Sequence, residues 1–153
     1  FFYQVGGGFE DYKGLGQKRL AKYAREFCLG EPTGIDIPGE VSGLIPDPKW
    51  KRLTKRQLWV TGDTYNCAIG QGDVLVTPLQ MACVTMVVAN GGTLYQPRLA
   101  DRLLDVEGRE LARFKPRVIR RVPVLEENLA VVRKGMREAV MSRSSRSRTH
   151  EQA

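Results

Sequence analysis

Apolar side chains recur at helical spacing in three stretches of the chain. Residues 14–30 show this period with lysine and arginine between the apolar positions, which predicts an amphipathic helix that stops at Gly30. Thr77-Pro78-Leu79-Gln80 combines a capping box with proline at the first helical position, and it predicts the start of a second helix. The following MACVTMVVA is apolar on nearly all faces, so this helix is expected in the core and ends at Asn90. Residues 126–140 show the third helical period.

The remaining pattern indicates strands, turns and loops. Residues 31–48 hold four prolines and three glycines, which exclude a long helix and leave short extended pieces at 35–37 and 44–45. Residues 93–114 predict two strands around a turn near 105–109, and residues 117–122 predict a further short strand. The basic stretch 49–56 lacks a clear apolar period, so we expect an exposed loop or one loose helical turn there. The predicted fold class is α+β.

The final residues differ from the rest of the chain in composition. Residues 141–153 are rich in serine and arginine and carry no apolar period, so they cannot build a core. We therefore expect a folded body over residues 1–140 and a disordered tail over residues 141–153. No signal peptide or stretch of membrane-spanning length is visible in the sequence.

The net charge of +7 is concentrated in two places. Residues 49–56 carry five cations and no anion, and the tail carries three arginines and one glutamate, so the rest of the chain is neutral. Such patches can attract phosphate or anionic lipid, although solvated surface charge is the commoner explanation. This leaves open a basic, non-enzymatic binding module that contacts nucleic acid or an anionic membrane surface, but nucleic acid is not the expected partner.

The sequence lacks several kinds of catalytic and metal site. Its three cysteines are far apart and its single histidine is His150, so no zinc-ligand cluster is present and no metal or cofactor is expected. Residues 1–140 contain one serine, Ser42, and no histidine, which excludes a Ser-His-Asp triad there. Ser-x-x-Lys and Lys-Thr-Gly are absent from the whole sequence. The carboxylates at positions 36, 40, 47, 63 and 73 are more simply explained by turn and cap roles than by acid–base chemistry.

Two long stretches nevertheless resemble a known enzyme family. GEPTGIDIPGEVSGLIPDPKWKR (30–52) and GDTYNCAIGQGDVLVTPLQMACVTMVVANGGTLYQPRL (62–99) closely resemble the transpeptidase domain of class B penicillin-binding proteins, in particular the elongation-type peptidoglycan D,D-transpeptidases. The similarity covers nearly all of residues 1–140. It implies a partial serine β-lactamase/transpeptidase-like domain, with helices packed on an incomplete antiparallel sheet.

The resemblance also implies a function for the full-length family. In that family the serine of Ser-x-x-Lys attacks a D-Ala-D-Ala peptide bond, and β-lactams trap the same serine. Peptidoglycan stem peptides and β-lactams are then the expected ligands, cell-wall elongation proteins the expected partners, and the periplasmic side of the inner membrane, with a membrane anchor, the expected location. Ser-x-x-Lys, Ser-x-Asn and Lys-Thr-Gly cannot be assigned to residues of this chain, so no catalytic residue is predicted.

Four residues are candidates for the wall of the family's peptide groove. They are Asp63, Thr64, Gln71 and Gly72, which lie in or beside the family-like motifs. The alternative is that the Gly-Gln-Gly turn and the capping box only seat a core helix, and this alternative is favoured. Two origins of the chain also stay open. The favoured one is part of a longer gene with a frameshift or assembly error near Val140, and the other is a truncated relative that binds without catalysing.

Overall fold

Six helices and four short strands make up residues 1–141, the part of the chain that the computed structural model describes. In chain order the elements are α1 (Phe2–Gly7), α2 (Gly16–Glu26), α3 (Pro48–Lys55), α4 (Thr61–Ala68), α5 (Pro78–Ala89), β1 (Thr93–Tyr95), β2 (Arg102–Leu104), β3 (Glu110–Arg113), β4 (Val118–Arg121) and α6 (Glu126–Met141). The α+β class is confirmed. The tail was predicted to begin at residue 141, but Met141 is the last residue of α6. The rest of the predicted tail, residues 142–153, lies outside the described residues.

The strands form two antiparallel ladders. β1 pairs with β4, with Thr93 opposite Arg121, and β2 pairs with β3, with Arg102 opposite Arg113. The turn predicted near residues 105–109 joins β2 to β3, where Asp105 accepts hydrogen bonds from the backbone N–H groups of residues 107 and 109. The β2–β3 hairpin is exposed along both strands, whereas β1 carries the fully buried Leu94.

The core lies between α5, the end of α2 and the β1–β4 ladder. Its buried members are Cys28, Cys83, Val87, Leu94 and Val122. α5 begins at Pro78, and its predicted capping box is present, since Gln80 N–H donates to Thr77 Oγ1 at 3.1 Å. α5 buries one face only, because Met81 on its opposite face is 46% exposed.

Residues 49–55 of the basic stretch lie in the eight-residue helix α3, which corrects the prediction of an exposed loop or one loose helical turn. Asp47 caps α3 by accepting from the Trp50 N–H at 2.7 Å, and Pro48 stands at the first helical position. These two features start a helix although the apolar period is weak. The stretch is not wholly exposed either, because Lys51 is 8% exposed.

The other differences concern the ends of elements. α2 ends at Glu26 rather than at Gly30, and the first left-handed residue after it is Cys28, with φ 71°. Gly30 is also left-handed, and a Cβ there would lie 2.8 Å from Ile45 Cγ1. Residues 35–37 form no strand, while Leu44 makes an isolated antiparallel bridge with Leu75.

Candidate functional site

Asp63 joins the first turn of α4 to α3. Its carboxylate accepts from the Val60 N–H at 2.8 Å and from Lys51 Nζ at 2.8 and 2.7 Å. The side chains of Lys51 and Asp63 are only 11% and 22% exposed. Burial raises the pKa of Asp63, but the hydrogen bond and charge of Lys51 and the Val60 N–H outweigh it, so the pKa lies below its ordinary value. Asp63 is therefore held as a carboxylate, and its oxygens already accept hydrogen bonds from groups within the fold.

Thr64 is buried beside Asp63 and fixes a tryptophan. Its side-chain hydroxyl accepts from the Trp59 indole N–H at 2.9 Å, and the residue is 7% exposed. This bond holds the segment that leads into α4 against the helix. The position of Thr64 suits support of the surface rather than direct contact with a ligand.

Gln71 and Gly72 lie beyond the other end of α4. Both are exposed, and Gln71 N–H donates to the Asn66 carbonyl at 2.9 Å. Gly72 has φ 73°, a conformation that favours glycine. A Cβ added at Gly72 would lie 3.3 Å from Asn66 Cβ, so both residues fold back beside Asn66, about one helical turn after Asp63. The four candidates therefore belong to one structural unit, in which Thr64 is buried and Gln71 and Gly72 are exposed.

A second lysine of α3 holds the turn at this far end. Lys55 Nζ lies 2.6 Å from Asp73 Oδ1, and both side chains are about a third or more exposed. Lys51 and Lys55, one helical turn apart, thus join α3 to both ends of the segment that contains α4 and the Gly-Gln-Gly turn. The sequence did not indicate this role of the two lysines. Because the basic stretch lacks an apolar period, its sequence does not show which side chains face inward.

An aromatic groove lies between α1 and α4, next to Asp63. It has a volume of about 470 Å³, and Tyr3, Phe9, Gly62 and Tyr65 are among its lining residues. The Tyr3 and Tyr65 rings meet edge to face at 5.8 Å, and Tyr65 Oη donates to the Gly8 carbonyl at 2.9 Å. Gly62 and Asn66, on either side of Asp63 and Thr64 in the sequence, also line this groove.

Gln80 is the polar residue whose full role the sequence did not indicate. It is 0% exposed, and its Nε2 donates to the carbonyls of Glu31 and Ser42, both at 2.8 Å. Its Oε1 accepts from the Thr77 N–H at 3.0 Å, as the capping box predicts. Gln80 thus ties the loop of residues 31–43 to the start of α5. The capping signal identified the acceptor bond but not the two long-range donor bonds.

Two carboxylates hold the loop that begins at Thr33. Glu40 accepts from the Thr33 N–H and hydroxyl, both at 2.6 Å, and from the Gly34 N–H at 2.9 Å. Burial raises the pKa of Glu40, but these donors lower it below the ordinary value. Asp36 accepts from the Leu99 N–H at 2.7 Å, and donors from the backbone lower its pKa as well. Glu40 makes the local turn contact that the sequence suggested, whereas Asp36 accepts from a residue 63 positions away along the chain.

Ser42 makes no hydrogen bond to a titratable side chain in the described part of the chain. Its hydroxyl donates to the Gly43 carbonyl at 3.4 Å, and this is its one side-chain hydrogen bond among residues 1–141. Within the same residues, no three His, Cys, Asp or Glu side chains are grouped so that they could hold a metal ion. None of the described helices combines the length and the apolar character that crossing a bilayer requires.

Comparison with known proteins agrees with the family resemblance seen in the sequence. The sequence model of the penicillin binding protein transpeptidase domain matches residues 9–153. Peptidoglycan D,D-transpeptidase MrdA of Acinetobacter baumannii is 39% identical over 85 residues, and MrdA of Salmonella typhimurium is 34% identical over 116 residues. These alignments cover 56% and 76% of this chain, but only 13% and 17% of the relatives. The matched part of the chain thus spans between about an eighth and a sixth of the length of these relatives.

A solved structure shows the same fold. The complex between PBP2 and MreC from Helicobacter pylori contains a chain with a TM-score of 0.71 and 32% sequence identity. The superposition covers 93% of this chain and 24% of that chain. The expected partial transpeptidase-like fold is therefore confirmed, although the described strands form two separate two-stranded antiparallel sheets rather than one incomplete sheet.

Proposed function

The chain belongs to the family of penicillin-binding protein transpeptidase domains, and from this premise we propose that it is a scaffold part of a peptidoglycan D,D-transpeptidase without a nucleophile of its own. The observation that carries the proposal is the match over residues 9–153 in a sequence that contains neither Ser-x-x-Lys, Ser-x-Asn nor Lys-Thr-Gly. The tie that Gln80 makes between the loop of residues 31–43 and α5 supports a structural role for these motifs.

The substrates and location of the whole protein follow from the same premise. Its substrates are the stem peptides of peptidoglycan, and β-lactams are its inhibitors, since they imitate the D-Ala-D-Ala end of the peptide. It acts at the periplasmic side of the inner membrane, to which it is anchored. The relative from Helicobacter pylori has been solved in a complex with MreC, which supports an assembly with cell-wall elongation proteins.

Within this scaffold, we infer that residues of α4 and of the Gly-Gln-Gly turn that follows it border the peptide groove. Asp63 and Thr64 position α4 beside the aromatic groove. Gln71 and Gly72 form an exposed edge in the turn that follows α4. Gln71 is the candidate for direct contact with a ligand, because its side chain is exposed and makes no hydrogen bond within the described residues. Asp63 and Thr64 already have partners and act by positioning.

Labelling with a fluorescent penicillin tests the absence of a nucleophile. The purified 153-residue chain is expected to give no covalent adduct on a denaturing gel, whereas MrdA of Salmonella typhimurium in a parallel reaction is expected to be labelled. An adduct on this chain that disappears in Ser42→Ala would overturn the proposal, because it would identify a working nucleophile in the loop of residues 31–43.

Grafting tests the proposed role of Gln71. Residues 30–99 would replace the corresponding segment of MrdA, and acylation of the chimera by the same penicillin would be followed over time. Gln71→Ala is expected to slow acylation, while Gln57→Ala, an exposed glutamine next to α3, is expected to leave it unchanged. Equal rates for both variants would remove Gln71 from the groove wall and leave the scaffold proposal intact.

A further inference from the structure

The outer face of α3 carries positive charge that the fold does not neutralise. Of the five cations in residues 49–56, Lys51 pairs with Asp63 and Lys55 pairs with Asp73. Lys49, Arg52 and Arg56 are exposed and make no ion pair within residues 1–141. The three outward cations, Lys49, Arg52 and Arg56, are therefore available to a partner, whereas Lys51 and Lys55 are already paired within the fold.

Two of these outward cations border a cleft with an apolar wall. The cleft has a volume of about 430 Å³ and is lined by Pro48, Lys49, Arg52, Leu58 and Trp59. A few charged groups on a mostly apolar concave surface are typical of sites that bind small molecules or short peptide segments. No acidic side chain is among the lining residues.

The aromatic wall of the cleft is held in place before any ligand arrives. The Trp59 indole N–H donates to Thr64 Oγ1 at 2.9 Å, and Thr64 is buried in α4. A side chain that is already ordered loses less conformational entropy on binding than a mobile one. Leu58 stands on the rim and is 78% exposed, which is a large exposed fraction for a leucine without a partner.

We propose that this cleft binds an acidic peptide segment, with one apolar side chain placed against Trp59 and Leu58 and flanking carboxylates bound by Arg52 and Lys49. A guanidinium can bind a carboxylate through two parallel hydrogen bonds, and a lysine adds a point charge. The concave shape decides for a peptide over a flat anionic bilayer, since a single side chain can enter the cleft and a bilayer surface cannot. Two cations are also few for the phosphate track that nucleic acid requires.

Tryptophan fluorescence tests the proposal on the full 153-residue chain. The sequence has two tryptophans, so Trp50→Phe leaves Trp59 as the single reporter and keeps an aromatic ring beneath Lys55. The probe is acetyl-Glu-Leu-Glu-amide, which should change the Trp59 emission in a saturable way, with an affinity that falls as NaCl is added. Acetyl-Glu-Gly-Glu-amide and acetyl-Lys-Leu-Lys-amide should each bind at least tenfold more weakly, since the first lacks the apolar side chain and the second reverses the charge.

Matched charge reversals assign the binding to the cleft. Arg52→Glu should weaken binding at least tenfold, whereas Lys22→Glu, an exposed cation on α2, should leave it unchanged. Circular dichroism and thermal unfolding would establish that each variant is folded, and Arg52→Gln replaces Arg52→Glu if the latter is not.

Four results would overturn the proposal. They are the absence of saturation with the acidic probe, equal binding of the lysine probe, equal losses in Arg52→Glu and Lys22→Glu, and binding to phosphatidylglycerol vesicles or duplex DNA without binding of the peptide.

Discussion

Lys51 Nζ lies within 2.8 Å of both carboxylate oxygens of Asp63, and this contact joins the middle of α3 to the first turn of α4. The two side chains are mostly removed from solvent. The pair therefore differs from an ordinary surface ion pair, because each charge has lost much of its hydration and depends on the other.

Lys51→Met should destabilise the fold by removing one partner of this pair. We expect a loss of about 2 kcal/mol in the free energy of unfolding, since Asp63 keeps only the Val60 N–H as a donor in a half-buried site. Lys55→Met is the matched control, because the Lys55–Asp73 pair is more exposed and should contribute under about 1 kcal/mol. Urea unfolding of both variants measures the difference. Equal losses would show that the burial of the Lys51–Asp63 pair has no energetic effect.

The same pair should make stability depend on pH in the acid range. The pKa of Asp63 is lower in the folded chain than its ordinary value, so the folded state favours the carboxylate. This contribution is complete above the pKa of the unfolded chain and is lost as pH falls through the folded pKa. Lys51→Met should remove part of this loss. The measurement is the urea midpoint as a function of pH for the wild type and for Lys51→Met; parallel curves would contradict the assignment to Asp63.

Gln80→Leu should destabilise the fold, although the two side chains are similar in volume. The change leaves the carbonyls of Glu31 and Ser42 without their donor in a buried site and also removes half of the capping box. We expect a loss of about 2–4 kcal/mol. Gln71→Leu provides the matched control at an exposed position and should stay within about 0.5 kcal/mol of the wild type. A small effect of Gln80→Leu on the unfolding midpoint would mean that water replaces its hydrogen bonds.

Local signals in the sequence predicted the elements better than their contacts. The capping box at Thr77 and the period of residues 126–140 located α5 and α6 because helix starts and amphipathic faces depend on neighbouring residues. The helix α3 was predicted as a loop or one loose helical turn, although Asp47 and Pro48 carry a cap signal of the same kind. In α3 the weak apolar period hid the fact that Lys51 faces inward.

The candidate site was harder to predict, because it depends on long-range contacts. Asp63 was selected from a family-like motif, but its partner Lys51 lies on another helix. The donor bonds of Gln80 likewise reach back 49 and 38 residues. No spacing rule within one element encodes such contacts, so the sequence indicated which residues matter and not what they touch.

Thiol reactivity should distinguish Cys67 from the two core cysteines. Burial, with a smaller contribution from nearby Cys83, raises the pKa of Cys28 from 9.0 to about 11, and burial also raises the pKa of Cys83. Cys67 is only partly buried, although its pKa is raised as well. Because the thiolate is the reactive form and must be accessible, a disulfide reagent should modify Cys67 first. Cys67→Ser should abolish the fast phase, and a fast phase that persists would contradict the buried placement of Cys28 and Cys83.

Self-association of the isolated chain follows from the apolar stripe along α6. Leu129 is buried at the start of this stripe, but Val132, Met136 and Val140 are 47%, 46% and 73% exposed. Contiguous exposed apolar surface favours association. Sedimentation velocity should therefore show oligomers that Met136→Lys shifts toward monomer. Val131→Lys makes a comparable change at a residue that is 70% exposed but off the stripe, and it should leave the distribution unchanged. A monomeric wild-type chain would contradict the prediction, and equal shifts in both variants would show that added charge, rather than loss of the stripe, opposes association.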